Sequence, residues 1–298
     1  MSGRDDATLI SVVANANLAA ARRRLSGFPP HLRVFDRIIG RMSARNDVSL
    51  GISGSLATGL FDTWSDIDIE IIAHDDRAVD EVLAWVNART VNVAPRLARF
   101  SADHVGLENI LVTFFLEDGV VVKVDLYTLP VSEYLELNQT VLIRDPGGVV
   151  RAAAEAHGPA SDKPPNYRDL DQKLCGWLWY THMKIERGEY LEAANSIEIM
   201  RCRALVPMLR GLAGLVQEGC RRLEFLLRGE WLARLSQTVP PGADAAALRA
   251  ALLELGRFYV SLRPEISEVL GVPADDHALK HMLRIIEQGT GLVERPDE

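Results

Sequence analysis

Three carboxylates in the first half of the chain have the types and spacing to act together. Asp66 and Asp68 flank Ile67 in Ser65-Asp-Ile-Asp-Ile69, and Asp125 lies in Val121-Val-Lys-Val-Asp-Leu-Tyr127. In an extended strand, residues two apart share a face. Asp66 and Asp68 are therefore aimed at one point, while Ile67, Ile69 and Ile71 line the opposite face and can serve a core. Converging like charges repel. A divalent cation that favours hard oxygen ligands, Mg²⁺ above all, relieves the repulsion. A neighbouring strand carrying Asp125 can add a third carboxylate, enough for two ions about 4 Å apart. Such a site suits phosphoryl and nucleotidyl transfer, which need charge neutralisation and positioning more than covalent help. Upstream, Gly54-Ser55 interrupts an apolar strand (Val48, Leu50, Ile52). A glycine there lets backbone N–H groups approach phosphate oxygens, and the Ser55 hydroxyl adds a donor. Glu70 continues the acidic face and reads as a solvated strand end.

Apolar periodicity predicts helices over 7–26 and 31–44, then a short helical piece from Leu56 to Phe61 between the two strands. On the second helix, Arg33, Arg37, Arg41 and Arg45 recur every fourth residue. This stripe reads either as a phosphate-facing surface or as a solvated face. A helix is expected at 76–89. Residues 96–107 are ambiguous. Strands are expected at Ile110–Leu116 and Val120–Tyr127, joined by the turn Glu117-Asp-Gly119. The second of these strands places Lys123, Asp125 and Tyr127 on one face. A helical Val131–Leu137, a strand Val141–Arg144 and a helix over 149–156 complete a first domain, 1–156. The Pro-rich stretch 157–166 is a composition break. Residues 167–298 then read as all-helical, with helices near 168–187, 190–215, 217–236, 244–261 and 275–290. Pro207 should kink or split the second of them. The predicted fold class is thus an α+β domain, a mixed β-sheet with flanking helices, followed by an all-α helical bundle. A cleft between two such domains is a common place for a substrate.

Gly54-Ser55, ten intervening residues, Asp66-Ile-Asp68 and the later strand residue Asp125 resemble the motif of the nucleotidyltransferase superfamily with the DNA polymerase β-type core. The resemblance covers about 48–127. The helical half, with Lys184-Ile-Glu-Arg-Gly-Glu-Tyr190, is similar to that of bacterial aminoglycoside and lincosamide nucleotidyltransferases. The resemblance implies a nucleoside triphosphate as donor, most often ATP in the family, with no residue here that reads the base. It also implies Mg²⁺, an acceptor hydroxyl that attacks the α-phosphorus, and pyrophosphate as leaving group. It implies that Ser55 touches the β/γ phosphates and that Asp66 and Asp68 ligate metal. Asp125 would be the third ligand or the general base. In other members the base comes from the helical domain, where Glu186 and Glu189 are the candidates. Lys173 and Lys184 could reach the triphosphate or stay solvated.

Composition sets outer bounds. The 298 residues are 48 % hydrophobic and 25 % charged, ordinary for a globular protein with a core. The net charge of −8 disfavours a nucleic-acid surface and suits a cationic small substrate. Cys175, Cys202 and Cys220 form no Cys-x-x-Cys and are expected as buried free thiols in helices. His277 and His281 have metal-ligand spacing on a helix but no clear further ligand. No leader pattern or membrane-length apolar run is visible, so the expected location is cytoplasmic. The reading is an AMP-transferring enzyme acting on a small hydroxylated molecule, plausibly an antibiotic. Two alternatives keep the fold: transfer to a protein or RNA acceptor, and a non-catalytic nucleotide-binding regulator or toxin–antitoxin partner. Low basic content argues against RNA, and the presence of all three aspartates argues against lost activity.

Overall fold

The computed structural model describes residues 3–103, 106–137, 140–157, 164–273 and 276–288. The chain divides into two compact units, Met1–Ser161 and Asp162–Glu298. The first is a mixed sheet with flanking helices, and the second is helical throughout its described residues. Among the described residues no helix is long and apolar enough to cross a membrane.

The first unit runs α1 (Gly3–Leu25), α2 (Pro29–Met42), β1 (Val48–Ile52), α3 (Gly54–Thr58), β2 (Ile67–Ala73), α4 (Val79–Thr90), β3 (Arg96–Ala102), β4 (Leu107–Glu117), β5 (Val120–Pro130), α5 (Val131–Tyr134), β6 (Val141–Arg144) and α6 (Val149–His157). Its six strands lie in the order β3-β4-β5-β2-β1-β6. The central pair β2–β5 is parallel and the other pairings are antiparallel. Ile67, Ile69 and Ile71 are fully buried on one face of β2, against Val34, Phe35 and Ile38 of α2 and Val82 and Val86 of α4. The opposite face is covered only towards the end of β2. There Ile72 packs with Leu129, Val131, Tyr134 and Val150. The ambiguity of 96–107 has a physical source: β3 is an edge strand whose residues are mostly exposed on both faces, so it carries little alternation.

The arginine stripe of α2 is a structural fastener. Arg33 and Arg37 donate to the buried Glu117 at 2.9 and 2.6 Å, tying α2 to the β4–β5 hairpin. Hydrogen bonding from Arg37, together with Arg33, holds the Glu117 carboxyl below the usual carboxylate range. Arg41 donates to the Arg89 and Asn92 carbonyls, both at 2.7 Å, at the end of α4. Arg45 pairs with Asp47 and Glu81.

The second unit comprises α7 (Tyr167–Glu186), α8 (Tyr190–Met200), α9 (Val206–Leu212), α10 (Leu223–Leu226), α11 (Gly229–Gln237), α12 (Ala245–Leu270) and α13 (His277–Gln288). One core joins them, with Leu178, Ile197, Leu209, Leu252, Phe258, Tyr259 and Ile266 all buried. The stretch 190–215 changes near Pro207 as expected, the helix expected at 244–261 runs on through Pro264 to Leu270, and the helix expected at 217–236 does not form as one piece. The stretch 190–215 is split by a π-turn, Arg201–Leu205, ahead of Pro207. Pro207 lacks the N–H that would continue the α-helical ladder, and the wider turn absorbs the defect. The stretch 217–236 is also broken. Buried Arg210 donates to the Val216, Gly219 and Arg221 carbonyls, which holds this chain as a loop up to α10. That loop also corrects the expectation for the cysteines: Cys220 lies in it and is exposed, while Cys175 and Cys202 are half-buried.

Candidate active site

The parallel pairing of β2 and β5 sets Asp68 directly beside Asp125. Asp66 stands one residue before β2 and shares the Asp68 face. One carboxylate oxygen from each of the three lies within 4.8 Å of the other two, and all three residues are half-buried. Among the described residues no other group of His, Cys, Asp and Glu converges in this way. Three hard anionic donors so close fit a divalent cation of the Mg²⁺ type.

The turn between β1 and β2 is shaped around these carboxylates. Gly54 has φ +58°, and a Cβ there would overlap Asp68 Oδ2. Only glycine meets both demands. The Ser53 N–H donates to the Asp68 carbonyl at 3.3 Å, so the turn is anchored to β2. Arg24 of α1 donates to the Leu56 and Ala57 carbonyls at 2.5 and 2.8 Å and holds the far end of α3. Ser55 Oγ is buried and has no hydrogen-bond partner among the described residues. A buried hydroxyl left unmatched is costly and fits a site built to receive a polar ligand. The approach to Asp66 is a local turn in which Asp62 Oδ1 accepts from the Trp64 N–H and the Ser65 hydroxyl, both at 2.9 Å.

Two residues of this face take roles that strand alternation alone did not assign. Lys123 Nζ lies 2.7 Å from Asp66 Oδ2 and 2.7 Å from Asp125 Oδ2, so an ammonium bridges two of the three carboxylates. Burial works against that charge, but the bonds to Asp125 and Asp66 outweigh it and hold the lysine pKa above its ordinary value. The signal was present in the Lys-Val-Asp spacing, which puts Lys123 on the Asp125 face.

Glu70 is the second, and here the structure corrects the solvated-end reading: the residue is only 2 % exposed. Tyr134 of α5 covers this end of β2, and Gly51 on β1 leaves the room. A Cβ at Gly51 would come within 2.9 Å of Glu70 Oε2 and 3.1 Å of the Tyr134 ring. Burial pushes the Glu70 carboxyl up to about 7, against a Ser53 hydrogen bond that lowers it, with the Asp68 charge adding to the rise. Nothing within Asp-Ile-Asp-Ile-Glu foretells the lid formed by α5, more than sixty residues later in the chain.

The remaining candidates belong to the helical unit, and each has an ion-pair partner there. Glu186 accepts from Arg249 at 2.6 Å and lies 3.7 Å from His182 Nδ1. Glu189 pairs with Lys184 at 2.6 Å, and Lys184 also lies over the Tyr180 ring. Lys173 pairs with Asp169 at 2.7 Å, one helical turn away.

Comparison with known proteins agrees with the chemistry of the first unit. Residues 35–145, which contain α2, the Gly54-Ser55 turn and all three aspartates, match the nucleotidyltransferase domain family. Among solved structures, an aminoglycoside 6-adenyltransferase from Bacillus subtilis is 16 % identical, with 87 % of this chain and 96 % of that chain covered and a TM-score of 0.39. A CCA-adding enzyme from Thermotoga maritima, in complex with tRNA, is 11 % identical, with 86 % and 69 % covered and a TM-score of 0.26. No curated protein matches the chain. The match over 35–145 takes in all three convergent aspartates and identifies a nucleotidyltransferase domain within the first unit.

Proposed function

We propose that the chain transfers AMP from ATP to a hydroxyl group of a small molecule and releases pyrophosphate. The observation that carries this reading is the convergence of Asp66, Asp68 and Asp125 beside the Gly54-Ser55 turn, within a nucleotidyltransferase domain. Asp66, Asp68 and Asp125 would hold Mg²⁺, two ions in the fullest arrangement. When bound, the metal supplies charge neutralisation at the α-phosphate and at the departing pyrophosphate.

The chain's own residues do the rest. The unmatched Ser55 hydroxyl donates to a phosphate oxygen of the donor nucleotide, and Gly54 lets the backbone approach without a side chain in the way. The acceptor hydroxyl must lose its proton as its oxygen bonds the α-phosphorus. A carboxylate takes that proton: Asp125 in the triad, or Glu186 or Glu189 of the helical unit. Lys173 and Lys184 are assigned to the triphosphate in the same reading. Each must then leave its present carboxylate partner.

We assign choice of acceptor to the helical unit, 167–298. An aminoglycoside or lincosamide is the proposed class, because Lys184-Ile-Glu-Arg-Gly-Glu-Tyr190 resembles the helical half of the enzymes that act on them; the net charge of −8 is compatible with a cationic acceptor. Antibiotic resistance would be the biological consequence, exercised in the cytoplasm. Incubation with α-³²P-labelled ATP, Mg²⁺ and a panel of both antibiotic classes tests this. Label should move to at least one compound. Transfer to none of them, with ATP still bound, removes the proposed acceptor class. Absence of both transfer and ATP binding removes the whole reading.

A further inference from the structure

Cys202 and Cys220 are 18 residues apart, yet their sulfurs lie 3.4 Å from each other. Both positions are built. Cys202 lies in the π-turn Arg201–Leu205, where the helix widens ahead of Pro207. Its thiol donates to Glu198 Oε1 at 2.9 Å, and Glu198 is itself paired with Arg201. Cys220 sits in the loop that leads to α10. The Arg210 guanidinium, 1 % exposed, holds that loop through the carbonyls of Val216 and Gly219, each at 2.6 Å, and of Arg221. Gly219 at φ +59° and Arg222 at φ +55° shape the loop on either side of the cysteine. A buried cation with three backbone acceptors is a firm clasp, so the approach of the two sulfurs is imposed by the fold.

We propose that Cys202 and Cys220 form a thiol–disulfide exchange site that takes a low-molecular-weight disulfide of the glutathione class. Exposure divides the roles. The exposed Cys220, as thiolate, attacks one sulfur of the small disulfide. A protein–S–S–R bond forms, and one RS⁻ leaves. Cys202 then attacks the Cys220 sulfur of that mixed disulfide. Its proton passes to Glu198, the Cys202–Cys220 bond forms, and the second RS⁻ leaves. Two electrons pass from the two protein thiols to the small disulfide, which is reduced to two thiols. Burial raises the Cys202 thiol pKa, which suits the resolving position, where proximity compensates for a small thiolate fraction. A metal is not the natural occupant: Glu198, Cys202 and Cys220 do not all converge, and no third ligand is near among the described residues.

The full-length chain, equilibrated in glutathione redox buffers, quenched with acid and alkylated with N-ethylmaleimide, tests this by intact mass and peptide mapping. The reduced protein should carry adducts on both residues. The oxidised protein should lose both together, weigh about 2 Da less than its unalkylated reduced form, and show a midpoint [GSH]²/[GSSG] above about 1 mM, the range of two thiols held together by short linkage. Cys202→Ser should instead accumulate a glutathione adduct on Cys220. Cys175→Ser should behave as the parent does. A midpoint below about 1 mM, or a parent protein that accumulates the Cys220 adduct while Cys202 still alkylates, overturns the proposal. Neither result depends on nucleotidyl transfer.

Discussion

Replacing Lys123 by methionine should make the metal-free carboxylate cluster less stable and its binding of divalent cations tighter. In the structure the ammonium contacts Asp66 and Asp125 at 2.7 Å each. A cation that takes all three carboxylates must displace it. The gross attraction per contact, at an effective dielectric of 20, is about 6 kcal/mol. Most of this is offset, because Lys123 keeps 32 % of its side chain in solvent and regains hydration when released. Measured values for partly exposed pairs suggest about 1 kcal/mol each, so about 2 kcal/mol for the two. Lys123→Met should therefore lower the Kd for Mg²⁺ or Mn²⁺ about 30-fold, measured calorimetrically without nucleotide at fixed ionic strength. Methionine keeps the length and apolar stem of lysine, so packing is little changed. The metal-free variant should melt lower than the parent, and saturating Mn²⁺ should restore more stability to it than to the parent. An unchanged or weaker Kd, in a variant with normal circular dichroism, would refute the view that lysine and metal compete for the same oxygens.

Asp66→Asn and Asp68→Asn should each lose more than about 10²-fold in label transfer, as expected when several kcal/mol of charge stabilisation is removed, while the fold is kept. A variant with normal turnover sinks the ligand assignment. Gly54→Ala should cost at least about 1–2 kcal/mol in urea unfolding, from the left-handed backbone alone, and should weaken metal binding by pushing on Asp68. Wild-type stability would contradict the strained turn. Glu70 sets a pH dependence. Its folded-state pKa of about 7 lies above the ordinary 4.5, so its contribution is fully present below pH 4.5 and is lost as pH rises through 7. In metal-free protein, Glu70→Gln should gain up to about 3 kcal/mol relative to the parent at pH 8 and little at pH 4 to 5. A difference independent of pH would show that the Glu70 pKa is the same in the folded and unfolded protein.

The local part of the site was legible because strand alternation is a property of the chain itself. Asp-Ile-Asp places two carboxylates on one face and isoleucines on the other in any half-buried strand, and Ile67, Ile69 and Ile71 are buried as that rule requires. The turn at Gly54 was legible for a similar reason, since an isolated glycine between a strand and a helix marks an unusual backbone angle. The strands of the first half and the change to helices after it were also readable from periodicity.

Only tertiary structure decided the rest. Asp125 meets Asp68 because β2 pairs in parallel with β5, in a register that one residue of slip would turn to the other face. Lys123 becomes a counter-ion through the same pairing. Glu70 is buried because α5 returns over the end of β2, and Cys220 meets Cys202 because Arg210 holds the intervening loop. The arginine stripe of α2 shows the limit most plainly. Its spacing fixed a shared face, but whether that face meets phosphate, water or protein depended on Glu117, Arg89 and Asn92, which lie about 50 to 80 residues further along the chain. Periodicity describes which side chains point together. What they point at is set by the packing of distant segments, which is where burial, ion pairing and pKa are decided.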